Sequence, residues 1–162
     1  MPTMTHQLII RFLLKAVEEF IAARALGGLV LFMGTRVKVS TKAGKAQFRE
    51  PDIVYMKEEN LHRCLEEYWE GADLLMEVVS GDPKDRERDL VEKRREYAAA
   101  RIPEYWIIDP KEKLIRVLTL RGKTYKVHGE FRPGTEATSV LLRGFSVKVD
   151  AVLAAGTPSF KK

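Results

Sequence analysis

Residues 72–80 read ADLLMEVVS, a largely apolar run in which Asp73 stands near the start and another acid, Glu77, is set deep inside. A strand that faces water on one side alternates apolar and polar residues, whereas a strand covered on both faces reads as a near-continuous apolar stretch. The run therefore predicts a central strand of a covered sheet. Along it Met76 and Val78 face one way, while Leu75, Glu77 and Val79 face the other, so the glutamate points into a surface that is otherwise apolar. An ionised carboxylate there costs several kcal/mol unless it is paired or coordinates a metal. An arginine partner would satisfy Glu77, and so would a place in a functional site.

Layers for such a sheet are legible on either side of the run. In THQLIIRFLLKAVEEFIAARALGG, the residues Leu8, Ile9, Phe12, Leu13, Ala16, Val17, Phe20 and Ile21 recur at helical spacing, with Thr5 as cap and Gly27-Gly28 as stop. LVLFM (29–33) and RVKVS (36–40) read as short strands joined at Gly34-Thr35, and the polar TKAGKAQFRE leads to a third strand, PDIVYM. KEENLHRCLEEYWEG reads as a short helix or a loop. After the central run, Asp82-Pro83 provides a cap and a first-turn proline for a helix through KDRERDLVEKRREYAAAR that ends before Pro103. EYWIIDP (104–110) is a second buried strand. LIRVLTL and TYKVHGEF predict an edge hairpin around Arg121-Gly122-Lys123, and FSVKV a last short strand with a helical turn after it. The outline is α/β, a central mixed sheet flanked by helices with a hairpin extension.

At 162 residues and 45% hydrophobic content, the chain suits one domain over 1–162, with a tail that frays from about 156. A net charge of +5 favours a polyanionic partner without requiring one. The single cysteine, Cys64, forms no internal disulfide, and no Cys/His cluster has zinc-site spacing. The longest apolar run, LGGLVLFMG, is far short of the roughly 20 residues that cross a bilayer. A cytoplasmic protein with no membrane partner is the expectation. Apolar residues exposed on the first helix would suit a symmetric homodimer.

A second acid changes the weight of the first. Asp52, at the head of PDIVYM, reads by itself as a turn or capping residue. Two acids on neighbouring strands can instead converge, and a pair of hard oxygen ligands with open positions is what a Mg²⁺ that must also bind phosphate requires. The candidate cation near a nucleophile is Lys93 on the following helix. With Leu90 at the centre of the apolar stripe, Lys93 and Tyr97 fall on the same side. Arg94 and Arg101 lie near that stripe too, and Lys93 also reads as a solvated partner for Asp89 at i−4.

PDIVYM, ADLLMEVVSGDP, RDLVEKRREYAAARIPEYWIIDP and the closing LLRGFSVKVD together resemble the Uma-two family, a branch of the PD-(D/E)XK, or restriction-endonuclease-like, nuclease superfamily. The match runs over about residues 5 to 153. It implies a metal-dependent endonuclease acting on nucleic acid, DNA foremost, with Mg²⁺ or Mn²⁺ as cofactor. Asp52 matches the aspartate of the PD element and Glu77 the acid of the (D/E)XK element, so the resemblance makes both metal ligands. Val79 stands where the superfamily pattern has lysine, and Lys93 matches the lysine that this branch carries on the helix. Ser80, Tyr97 and His6 match further family positions, as supporting residues of the site. The family pattern also has a longer segment ahead of the helix that begins near His6, with a glutamate directed to the site. A competing expectation is a catalytically weak nucleic-acid-binding or oligomeric interaction module on the same fold.

Overall fold

The computed structural model describes residues 1–159. Helix α1 (Met4–Ala23) buries Ile9, Leu13 and Val17 of the stripe its spacing predicts, and Ile10 as well, which that stripe did not include. Its cap is Thr3 rather than Thr5, because the Thr3 hydroxyl is the one placed to accept the His6 N–H. The helix ends ahead of the glycine pair, since Ala25 already takes a left-handed conformation at φ 50°. Gly28 is needed for close approach: at φ 87°, any side chain there would collide with the Met56 carbonyl.

Four strands follow: β1 (Leu29–Phe32), β2 (Val37–Lys42), β3 (Lys45–Arg49) and β4 (Ile53–Met56). β1 and β2 do not pair across Gly34-Thr35. β1 instead pairs antiparallel with β4, and β2 folds back on β3 as a separate two-stranded ribbon. β3 comes from the polar stretch read as a lead-in. It lacks an apolar pattern of its own, and its partner β2 supplies the buried Val37 and Val39 that hold the ribbon down. A 3₁₀ turn (Glu58–Arg63) leads to β5 (Leu74–Val78), the central run.

Asp82 caps α2 (Pro83–Glu87) by accepting the N–H groups of Lys84 and Asp85. The helix passes through a π turn (Arg88–Glu92) into α3 (Lys93–Ala99). Then come β6 (Glu104–Asp109), the hairpin β7 (Leu114–Arg121) and β8 (Thr124–Phe131), the short pair β9 (Glu136–Thr138) and β10 (Ser146–Lys148), and α4 (Val149–Ala155). Gly156 is still buried, closely approached by Thr5 and Ile9, so the packed body reaches the start of the expected frayed tail. Residues 160–162 of that tail lie outside the described residues.

The main sheet has six strands in the order β1-β4-β5-β6-β7-β8, with β8 at an edge. β5 and β6 are parallel, joined by the α2–α3 crossover, and every other neighbouring pair is antiparallel. Both faces are covered, as the central run demands. Met76 and Val78 pack with α1 and α4, while Leu75 and Val79 pack with Tyr97 of α3 and with Val37 and Val39 of the ribbon. Glu77 shares the second face, directed at the helix rather than at solvent.

Candidate active site

β4 and β5 are antiparallel, with Ile53 opposite Met76. Continuing that register by one residue sets Asp52 across from Glu77, where β5 is about to leave the sheet. The Asp52 carboxylate is fixed from two sides. Its Oδ2 accepts the Val78 N–H at 2.7 Å, and its Oδ1 lies 3.1 Å from Nε2 of His6, brought in by the first turn of α1.

Glu77 is 2% exposed. Its Oε1 accepts the Tyr97 hydroxyl at 2.7 Å and Lys93 Nζ at 3.0 Å. Lys93 Nζ also stands 2.7 Å from Asp89 Oδ1, an ion-pair distance reached off the hydrogen-bonding direction, so that buried oxygen takes no hydrogen bond. His6, Asp52, Glu77, Ser80, Asp89 and Lys93 line one cavity of about 420 Å³. Tyr97 stands behind Glu77 as its support. Ser80 accepts the Asp82 N–H at the turn into α2 and faces the same cavity.

Three other buried acids, Glu104, Asp109 and Asp73, have purely structural explanations. Glu104 accepts from the Trp106 indole, the Ser139 hydroxyl and the N–H groups of Val140 and Leu141. Asp109 is held by a bidentate Arg86, and Asp73 by the Lys57 N–H and the Asn60 amide. Glu77 has no arginine partner among the described residues. Its second oxygen, Oε2, takes no hydrogen bond from the described residues.

Burial pushes the Glu77 carboxyl up from its ordinary 4.5 to about 7; the Lys93 charge opposes this, and Asp52 and Asp89 add to it. For Lys93 burial acts downward, but Glu77 and Asp89 together outweigh it and raise the ammonium above its ordinary value. The lysine is therefore charged at neutral pH. Burial likewise opposes the charged form of His6, and the Asp52 hydrogen bond overcomes it and raises the imidazole above 6.5. Burial lifts the Tyr97 hydroxyl well above its ordinary range, so it serves as a proton donor to Glu77.

The Uma2 family, described as "Putative restriction endonuclease", matches residues 1–151. The chain belongs to the Uma2 family. Among solved structures it is similar to one described as a putative nuclease belonging to DUF820 from Anabaena variabilis ATCC 29413, at a TM-score of 0.73 and 14% identity. The likeness covers 96% of this chain and 84% of that one and speaks for the fold alone. No curated protein sequence matches the chain at a significant level.

In this Uma2 chain, tertiary structure brings together every residue the sequence nominated, with Tyr97 one layer behind the rest. Arg94 is only partly buried and Arg101 is exposed, in a left-handed conformation; neither lines the cavity. One participant was missed. Asp89, which the sequence offers only as the i−4 partner of a solvated Lys93, is 4% exposed and faces the cavity from the π turn. Its signal was present as D-x-x-x-K-x-x-x-Y over 89–97, which sets three polar groups along one helix face.

The donors suit a hard cation. Asp52 and Glu77 offer carboxylate oxygens, and Glu77 Oε2 is left without a hydrogen bond. No group of three His, Cys, Asp or Glu side chains among the described residues forms a ready-made cage. A Mg²⁺ that also binds phosphate can be held by one or two carboxylates, with water and substrate phosphate completing its shell.

Proposed function

We propose that this protein is a metal-dependent endonuclease hydrolysing phosphodiester bonds of DNA, with Asp52 and Glu77 holding Mg²⁺ or Mn²⁺ and Lys93 beside the attacking water. The observation that carries the reading is Glu77: a buried carboxylate opposite Asp52, contacted by a charged lysine and open to a cavity through its other oxygen. The cation, when bound, polarises the phosphate and lowers the pKa of a bound water. The chain's own groups prepare that event. His6 and the Val78 N–H fix the Asp52 carboxylate, and the Tyr97 hydroxyl fixes Glu77 Oε1. Lys93 Nζ is a charged donor aimed at the strand end, placed to orient water and to offset charge on a phosphorane-like transition state. Ser80 offers a hydroxyl to a substrate phosphate at the rim.

The lysine enters from α3 instead of β5. Val79 occupies the strand position and packs into the core, so the strand stays apolar and the helix delivers the charge.

We further infer a cytoplasmic setting, in keeping with the unpaired Cys64, and a homodimer through the apolar groove where Met4 and Leu8 meet Phe32 and Met33. Light scattering at micromolar concentration tests the dimer. No helix among the described residues is long and apolar enough to cross a membrane.

Plasmid and single-stranded DNA incubated with Mg²⁺ or Mn²⁺ test the activity. Cleavage by the wild type should fall at least about 100-fold in Glu77→Gln and in Lys93→Met. Binding without metal-dependent cleavage, unchanged by Glu77→Gln, would instead make the chain a nucleic-acid-binding module.

A further inference from the structure

The β2–β3 ribbon stands apart from the main sheet and carries a charge pattern that the catalytic cavity does not use. From Arg36 to Arg49 the sequence holds five cations, Arg36, Lys38, Lys42, Lys45 and Arg49, and no acid. Their sum equals the net +5 of the whole chain, so the rest of the protein is balanced. Only Arg49 is neutralised. Its guanidinium is clasped by the Glu96 carboxylate at 2.6 and 3.0 Å, which ties the ribbon to the helix that bears Lys93. The other four cations have no carboxylate within ion-pair distance among the described residues.

Placement adds to the charge. β3 runs directly into Glu50 and Asp52, both of which line the catalytic cavity. At the root of the ribbon the Arg36 guanidinium lies 4.1 Å over the Phe48 ring, and Phe48 meets Tyr68 edge-on at 5.2 Å. Ser40, Thr41 and Gln47 add uncharged hydrogen-bonding groups along the strands. A two-stranded ribbon is one of the few protein elements that the major groove of duplex DNA admits, and lysines along it would meet phosphates on either side.

We propose that the β2–β3 ribbon is the DNA-gripping arm of this protein, holding the duplex that flanks the scissile phosphodiester, with Arg49–Glu96 fixing its position relative to Lys93. The proposal rests on the DNA reading above. It makes Lys38, Lys42 and Lys45 backbone contacts and leaves the chemistry to the cavity.

The test is binding of a fluorescein-labelled duplex of about 20 base pairs to the full chain in EDTA, read by anisotropy over a KCl series. Lys38→Glu, Lys42→Glu and Lys45→Glu are combined in one variant. A control combines Arg121→Glu, Lys123→Glu and Lys126→Glu, the same charge change on the β7–β8 hairpin. The ribbon variant should bind at least about 30-fold more weakly and lose about 2 to 3 from the magnitude of its log–log salt slope, each lost phosphate contact removing about 0.9. The control should lose less than about fivefold through long-range charge alone. Thermal melting verifies folding, and Lys42→Ala with Lys45→Ala, confined to the turn, repeats the measurement with less perturbation. Equal losses in ribbon and control variants, or wild-type affinity in the ribbon variant, overturn the proposal while the endonuclease reading stands. Ribbon-dependent binding to phosphatidylserine vesicles with duplex binding unaffected overturns it in favour of a membrane surface. A wild type that binds no duplex defeats the DNA reading, and the ribbon assignment falls with it.

Discussion

Among the described residues, Lys93 is the one cation that touches both Glu77 and Asp89. Removing it leaves buried Glu77 without a counter-charge and Asp89 with only Arg88, 4.0 Å away, a circumstance in which a buried ion pair is costly to break. Lys93→Met should destabilise the fold by about 3 kcal/mol in urea titration, and adding Glu77→Gln should recover part of that loss, a non-additivity typical of residues in contact. The pH dependence follows from the same carboxylate. Since Glu77 is raised from 4.5 to about 7, the folded chain holds a proton that the unfolded chain has released over that interval. Its contribution to stability is full below about 4.5 and is lost as pH rises through about 7. His6, raised above 6.5 by Asp52 against its burial, acts in the same direction. Melting temperature of the metal-free protein should therefore decline from pH 5 to 8, and Glu77→Gln should flatten the decline.

At the scale of elements, the crossover from β5 to β6 does most of the positioning. Asp82 and Pro83 start the helix where the sequence places it, and the partly buried Arg86 locks it to the end of β6 through both oxygens of Asp109. Burial alone would raise the Asp109 carboxyl, and Arg86 with nearby backbone N–H groups holds it below its ordinary 3.8. Arg86→Met should cost about 3 kcal/mol in urea titration by stranding that buried carboxylate, and because Arg86 ties down the helix ahead of Lys93, it should also lower cleavage with little change in duplex affinity. The π turn at Arg88–Glu92 is the element least visible beforehand. Such turns are often found at functional sites; this one carries Asp89 into the cavity, pinned by the Tyr105 hydroxyl on the Asp89 carbonyl oxygen at 3.0 Å.

For the whole molecule, the covered sheet supplies rigidity while the open ends of β4 and β5 supply chemistry. If Asp52 and Glu77 hold a divalent ion, binding stabilises the folded state by mass action: Mn²⁺ at about 100 times its Kd adds about 2.7 kcal/mol, or about 5 °C or more in melting temperature. The rise should vanish in Asp52→Asn and in Glu77→Gln. A wild type whose melting temperature is indifferent to Mn²⁺ would remove the metal from the mechanism.

Much of this architecture is local in origin and so was legible in the chain. The doubly apolar ADLLMEVVS requires a central strand because only a sheet covered on both faces can bury both of its sides. The stripe of α1 and the Asp82-Pro83 start of α2 follow from helical period and capping, and Asp52 and Glu77 stand out as acids beside buried strands. What the chain could not show depends on which segments pair and on partners distant in sequence. β3 exists because β2 pairs with it, and β1 pairs with β4 rather than with β2. Periodicity left Lys93, Arg94 and Arg101 as competitors. Lys93 won because two buried acids, Glu77 sixteen residues before it and Asp89 on its own helix, supply the counter-charge that its burial demands.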